Sequence, residues 1–432
     1  MRITKRAVTS AFATASLLFY AFATSAFAQT TTLDISGNGS DSDNTLNVTT
    51  SQTTTVVQEN NADITNDVYA KANTGGNDAN DNTGGDVTVD TGDATTNVDI
   101  SNQANANVAD LQNCGTCVGD TSVTISGNGS DSDNDVDLDL NHETELFQNN
   151  NADINNDVYA KANTGKNEAE DDTGGDVTIR TGDADTTVDI TNKANANVAS
   201  IGNGGNNNGG VSLRISGNGS DSDNSIDLDL DKSITLVQNN NADINNDVYA
   251  KANTGKNEAE DNTGGDVLID TGDASTDVTV DNAANFNWAN VDCCLFDVVA
   301  KILGNGSDSD NSIKAEIDNN LEVFQNNCAE HGHETILSVI DGHGKCGIDN
   351  DLYAKADSGD NEAEDNTGPV SGGDPTEVKT GDAESNTDVS NSANLNILGQ
   401  DQSLELPEGI DFSFDFSFDL NDLLGMLSNL TV

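Results

Sequence analysis

Three segments of 34 residues, nearly identical to one another, recur in this chain at intervals of 90 residues. The first begins at Asn61 and reads NADITNDVYAKANTGGNDANDNTGGDVTVDTGDA; the other two begin at Asn151 and Asn241. A degraded fourth copy, GIDNDLYAKADSGDNEAEDNTG, begins at Gly347. Self-similarity at a fixed period predicts an architecture in which each repeat packs on its neighbours.

The copies divide the chain into four repeats and two terminal segments. We place the repeats at 29–120, 121–210, 211–297 and 298–398, and the last one carries an insertion at 328–346. An atypical last repeat is what a terminal cap of a repeat protein looks like. The segment 399–432 is rich in phenylalanine and differs from the repeats. We expect it to be a cap over the last repeat or a docking segment, through which the chain could self-associate.

Apolar residues alternate with polar ones inside each repeat. Val136, Leu138 and Leu140 are separated by aspartates, and the stretch from Ala62 to Ala72 follows the same period of two. This period is typical of half-buried β-strands. The all-β alternatives are a β-solenoid of four units and a string of four β-sandwich domains. The small core residues favour the β-solenoid, because each unit shares its core with its neighbours.

Asparagines fall on the predicted inward face, for example Asn66 and Asn102. A buried amide is costly unless its donors and acceptors are paired. Identical amides that stack from repeat to repeat would satisfy one another as a ladder. Alternatively, some of these positions lie at corners, where asparagine favours left-handed backbone.

The first 28 residues have the pattern of an export signal. Three basic residues precede an apolar stretch of 13 residues from Ala11 to Ala23, and SAFA ends at a small-residue cleavage site after Ala28. The apolar stretch is too short to span a membrane. We therefore expect a secreted or cell-surface protein without a membrane span.

Charge limits the partners of the exported chain. Removal of Arg2, Lys5 and Arg6 leaves 14 basic residues against 75 acidic ones, a net charge of about −61. This sign excludes nucleic acid as a partner and leaves divalent cations, glycans and cell-surface proteins.

The acidic octapeptide GNGSDSDN occurs once in each repeat, starting at Gly37, Gly127, Gly217 and Gly304. Calcium takes six to eight oxygen ligands from carboxylates and carbonyls, and the octapeptide offers two aspartates and two asparagines. The predicted calcium ligands are Asn38, Asp41, Asp43, Asn44, Asn128, Asp131, Asp133, Asn134, Asn218, Asp221, Asp223, Asn224, Asn305, Asp308, Asp310 and Asn311. The alternatives are diffuse cation condensation and a simple hairpin turn at Asn-Gly.

Six cysteines suit an oxidising compartment, where they would form local disulfides. Cys328 and Cys346 enclose His331, His333 and His343. These residues could bind zinc or copper, or the cysteines could close a disulfide loop with exposed histidines.

Catalytic motifs are missing from the sequence. It has no Gly-x-Ser-x-Gly elbow and no phosphate loop, and its carboxylates are too numerous for any pair to be informative. We therefore expect a protein that is not an enzyme.

The run NTGGDVTVDTGDATTNVDISNQANANV resembles secreted repeat proteins of bacterial cell surfaces, which share the Asn-Thr-Gly-Gly, Thr-Gly-Asp-Ala and Asn-Ala-Asn-x-Asn elements. The resemblance covers residues 31–398 and implies export and a repetitive β fold. A weaker likeness to curli-type repeats lies in QNNNADINN at Gln148, without the curli spacing.

Together these observations predict a structural or adhesive protein of the cell surface that is stabilised by calcium. The alternatives are a cation-dependent glycan- or protein-binding module and a β-helical carbohydrate-active enzyme.

Overall fold

The computed structural model describes residues 7–15, 18–22, 31–111, 121–202, 210–291, 297–327, 347–368 and 376–399. Every regular element among these residues is a β-strand, and every strand pairing is parallel. The prediction of an all-β solenoid is confirmed. The alternative of four separate sandwiches is wrong, because strands of one repeat pair with the equivalent strands of the next repeat.

Each repeat forms one layer of the stack, which we call a rung. Strands β1 (Ala7–Ala15) and β2 (Leu18–Phe22) precede the repeats. The first rung contains β3 (Thr31–Ser36), β4 (Asp43–Asn73), β5 (Val87–Asp90) and β6 (Ala94–Leu111). The second contains β7 (Thr121–Ser126), β8 (Asp133–Asn163), β9 (Glu168–Glu170), β10 (Val177–Arg180) and β11 (Ala184–Ile201).

The third rung repeats this order with β12 (Gly210–Ser216), β13 (Asp223–Asn253), β14 (Glu258–Glu260), β15 (Val267–Asp270) and β16 (Ala274–Val291). The fourth contains β17 (Asp297–Leu303), β18 (Asp310–Asn327), β19 (Gly347–Asp357), β20 (Thr376–Lys379) and β21 (Ala383–Gly399). Strands β18 and β19 both pair with β13, so the insertion 328–346 interrupts a strand that is continuous in the other rungs.

A rung is a flat, two-layered path. Strand β4 has 31 residues, which corresponds to about 100 Å at ~3.3 Å per residue. One end of it packs against β3, where Leu33 and Ile35 contact Leu46 and Val48. The rest faces β6, where Asn66 Nδ2 donates to Asn102 Oδ1 at 3.0 Å. Equivalent residues of successive rungs stand in columns parallel to the stacking axis.

Inward asparagines form ladders, as one of the two interpretations of Asn66 and Asn102 predicts. In one ladder the amide Nδ2 of Asn102 donates to Asn192 Oδ1 at 2.7 Å, and Asn192 donates to Asn282 at 2.7 Å. Asn156 also donates to Asn192, at 3.2 Å across the two layers. The side chains of Asn102, Asn192 and Asn282 are fully buried. Buried amides therefore pair both along the stack and between its layers.

The Asn-Gly turn of the octapeptide is not a β-hairpin, so that alternative interpretation is wrong. Strands β3 and β4 lie in different sheets, and each pairs with its own counterpart in the second rung. The octapeptide is an arch that passes the chain from one layer to the other. Gly37 and Asp41 have φ of 69° and 58°, a left-handed conformation that glycine adopts freely and aspartate tolerates.

Glycine columns stand where rungs approach most closely. A Cβ atom on Gly165 would lie 2.0 Å from the carbonyl oxygen of Gly255, whereas a Cβ atom on Gly359, in the same column of the fourth rung, would meet nothing within 4 Å.

Replacing Gly165 with alanine should therefore lower the free energy of unfolding by about 1–3 kcal/mol, the usual cost of overpacking. Gly359→Ala is the matched control and should leave it nearly unchanged. Chemical denaturation of dilute protein measures both, and equal effects would contradict the close approach of the rungs.

Replacing Asn192 with leucine should cost about 1–3 kcal/mol, because the neighbouring buried amides each lose a partner. Asn391→Leu, at the exposed end of the same ladder, should cost less. Denaturation midpoints of the two variants test the ladder directly; a larger loss for Asn391→Leu would refute it.

Candidate functional site

The octapeptide separates its amides from its carboxylates. Asn128 and Asn134 are buried in the arch, as are Asn218 and Asn224 of the next rung. Asn38 Nδ2 donates to Asn128 Oδ1 at 3.0 Å and Asn44 Nδ2 donates to Asn134 Oδ1 at 2.8 Å. The same bonds continue to Asn305 and Asn311 in the fourth rung. All eight asparagines of the predicted ligand set therefore belong to two ladders.

The eight aspartates of the set lie on the outside of the arch. They form two exposed columns: Asp41, Asp131, Asp221 and Asp308, followed by Asp43, Asp133, Asp223 and Asp310. Partial desolvation and the charges of Asp223, Asp43 and Asp135 raise the pKa of Asp133. Carboxylates and amides of one octapeptide thus do not converge, and a cation there would meet aspartates from successive rungs.

The carboxylates that do converge are glutamates of the sequence NEAED. Strands β9 and β14 align Glu168 with Glu258 and Glu170 with Glu260, and the fourth rung adds Glu362 and Glu364. We call these six residues the glutamate columns. Within the described part of the chain, the triads Glu170, Glu258, Glu260 and Glu260, Glu362, Glu364 are the two groups with oxygens all within 4.8 Å of one another.

Three of the six glutamates, Glu170, Glu260 and Glu364, have a raised pKa. Partial desolvation, a hydrogen bond to Glu258 and the charges of Glu258, Glu362 and Glu170 raise the pKa of Glu260 to about 7. Desolvation and Glu168 raise the pKa of Glu170, and the charge of Glu362 raises that of Glu364. Neighbouring carboxylates repel one another when all are ionised. A divalent cation bound between them would remove this repulsion and displace the protons.

Sequence reasoning missed the glutamate columns, although the signal was present. Glutamates two residues apart in a strand project from the same face, and NEAED recurs in repeats two, three and four. The first rung has Asp78 and Asn80 at these positions, so the columns begin at the second rung.

A tyrosine column, exposed at its two ends and half-buried between them, runs beside a lysine column on the outer face of the long strands. Tyr69, Tyr159, Tyr249 and Tyr353 stack with ring centroids 4.9, 5.0 and 4.9 Å apart. Two residues further along lie Lys71, Lys161, Lys251 and Lys355. Desolvation and neighbouring lysines lower the pKa of Lys161 and Lys251.

Several predicted features lie outside the described residues. These are the six cysteines, the histidines His331, His333 and His343, and the segment 399–432. Their predictions therefore remain open.

Comparison with family models, with curated proteins and with solved structures gives no match. The resemblance to secreted repeat proteins of bacterial cell surfaces therefore stays a prediction. No helix among the described residues has the length and apolar composition needed to cross a bilayer.

The raised pKa of Glu260 predicts a pH dependence of stability. A carboxyl whose pKa rises on folding, here from 4.5 to about 7, stabilises the folded state at low pH and loses this contribution as pH rises through that window. In chelator, Glu260→Gln should therefore flatten the fall in melting temperature between pH 4.5 and 7.

Glu59→Gln is the matched control, because Glu59 aligns with Asn149 and has no carboxylate above it. It should retain the wild-type pH profile. Parallel profiles for all three proteins would contradict the coupling inferred for the glutamate columns.

Proposed function

We propose that this chain is an exported structural protein of the cell surface, without catalytic activity, whose solenoid is stabilised by calcium. The observation that carries the proposal is the unbroken register: β4, β8 and β13 pair residue for residue along their whole length. Chemical groups consequently occur as near-identical copies along columns. This supports a scaffold with a repetitive surface more than an enzyme, which needs one convergent set of unlike groups.

The need for cations follows from the same register. Parallel pairing puts Asp137 beside Asp227 and Asp139 beside Asp229, and like charges directly opposite each other destabilise a sheet. Desolvation and the charges of Asp231, Glu316, Asp139 and Asp318 raise the pKa of Asp229. Calcium bound between successive carboxylates would relieve this repulsion in the extracellular medium.

Two sites compete for the role of calcium ligand. The aspartates of the octapeptide are part of the calcium site predicted from the sequence. The glutamate columns bring three carboxylates close together. The proposal of calcium stabilisation holds for either site.

The alternative of a glycan-binding module finds its best candidate in the tyrosine column. Sugars stack on ring faces, but stacking within the column leaves mainly ring edges and hydroxyl groups exposed along it. This geometry is unfavourable for repeated sugar stacking, and we therefore favour the structural role.

Thermal melts of residues 29–432 in calcium, in magnesium and in excess chelator test the proposal. Calcium at a hundredfold over its dissociation constant should stabilise by about 2.7 kcal/mol per site. Identical melts in the three conditions would refute calcium stabilisation.

Paired variants locate the site. Glu258→Gln with Glu260→Gln removes carboxylates from the glutamate columns, and Asp221→Asn with Asp223→Asn removes them from the octapeptide while asparagine still tolerates the left-handed φ of position 221. The variant that loses the calcium response identifies the ligands. A full response in both variants would exclude both sites.

A further inference from the structure

The stack ends without closing. Among the described residues, the outer edges of β3, β4 and β5 in the first rung have no partner strand, and neither do those of β17, β18, β20 and β21 in the fourth. An unpaired strand edge is a template for another chain. Because there are only four rungs, these two edges are large in relation to the whole molecule.

The amides at the two ends are complementary. In eight ladders, those of Asn38, Asn44, Asn60, Asn66, Asn77, Asn102, Asn105 and Asn107, each Nδ2 donates to the Oδ1 of the next rung. The first rung accordingly presents amide oxygens at its outer side, and the fourth rung presents amide nitrogens. A fourth rung placed on another molecule's first rung continues all eight ladders.

Apolar residues at the two ends also match. One column reads Val57, Phe147, Val237 and Phe324, so valine and phenylalanine alternate along the stack. The terminal members are the exposed ones: Val57 is 56% exposed and Phe324 55%. Placing Val57 of a second molecule on Phe324 continues the alternation and leaves both side chains half-buried, like Phe147 and Val237 inside the stack. Tyr353 would stack on Tyr69 in the same way.

One row of the first rung would reduce charge repulsion in such a contact despite the acidity of the chain. The outer face of β8 carries Asp135, Asp137, Asp139, Glu143 and Glu145. The aligned residues of β4 are Thr45, Asn47, Thr49, Thr53 and Thr55, all of which are uncharged. The fourth rung, with Glu316, Asp318 and Glu322 at its outer face, would thus meet a neutral row. Along this row the repulsion between aligned carboxylates is absent. The octapeptide columns would still place Asp310 on Asp43, at the edge of the contact where water and cations screen them.

The edge of the first rung is already seen to accept a strand. Strands β1 and β2 pair with β6 in parallel, from Ala7 beside Ala94 to Phe22 beside Asp110. Both strands belong to the predicted export signal. Its removal after Ala28 opens the edge of β6 to another chain.

We propose that the exported chain stacks head to tail: the fourth rung of one molecule pairs, in parallel and in register, with the first rung of the next. Such a contact joins two different surfaces and does not close on itself, so it propagates into a filament. The inference goes beyond the proposed structural role and does not depend on calcium, so failure of one leaves the other standing.

Sedimentation velocity and electron microscopy of residues 29–432, which contain all four rungs, test the proposal. We expect filaments with an axial strand spacing of about 4.8 Å and a molecular repeat of about 19 Å, the height of four rungs. Monomers at every concentration, as would follow if residues 399–432 cover the fourth rung, would overturn it.

Charge variants test the polarity of the joint. Val57→Lys and Phe324→Glu should each weaken filament formation when alone, because each places an unpaired charge against an apolar residue in a half-buried column. A mixture of the two variants should polymerise again with the variants in alternation. The introduced glutamate then faces the introduced lysine at one intermolecular contact, and Phe324 faces Val57 at the next. Thr235→Lys, on the outer face of the third rung, is the control and should assemble normally.

Glycine variants test the register without adding charge. Gly75 and Gly165 each approach the next rung too closely for a Cβ atom, and Gly359 ends their column in open space. Gly359→Ala should fold normally, yet block assembly because its methyl group meets Gly75 of the next molecule. Gly347→Ala is the control, because Gly347 aligns with the outward-facing Asp243. Assembly of Gly359→Ala like wild type, or failure of the charge-variant mixture, would refute head-to-tail stacking.

Discussion

Parallel pairing of identical residues is the interaction on which this structure depends. Because each residue pairs with its counterpart in the next rung, most inward side chains lie against a copy of themselves or a similar residue. Asparagine benefits most, because one amide carries both a donor and an acceptor and can pair with the copies on either side. The Asn102 ladder therefore continues the core between Ile100 and Ala104, and the Asn44 ladder continues it beside Leu46.

The same pairing is unfavourable for charged residues, and the charge distribution reflects this. Apart from the buried Asp172 and Asp357, the described carboxylates lie on the outer faces and at the arches, where water and cations screen them. The glutamate columns are the place where three of them come closest, and there the pKa of Glu260 rises to about 7. The neutral row of β4 is the exception, and it lies at one end of the stack. One constraint thus connects the proposed calcium stabilisation of the surface with the proposed end-to-end assembly.

Much of the strand structure could be predicted from the sequence, since alternation from Ala62 to Ala72 assigns each side chain to a face. The arch at Gly37 to Asn44 could not. Asn-Gly between two apolar strands indicates a hairpin when neighbouring strands pair with each other, but here both pair with the next rung. The local sequence of a hairpin turn and of an arch is similar. Only the strand with which each neighbouring strand pairs distinguishes the two structures.

The candidate site shows the same difference between what the sequence predicts and what the structure adds. By itself the sequence determined the repeats, the inward asparagines and the abundance of outward carboxylates, because periodicity specifies faces. Tertiary structure alone decided which of them meet: it buried Asn38 and Asn44 in ladders, left Asp41 and Asp43 on the surface, and brought Glu260 to Glu170 and Glu362. The physical reason is that these contacts join residues about 90 to 100 positions apart, through backbone pairing between rungs that no local pattern encodes.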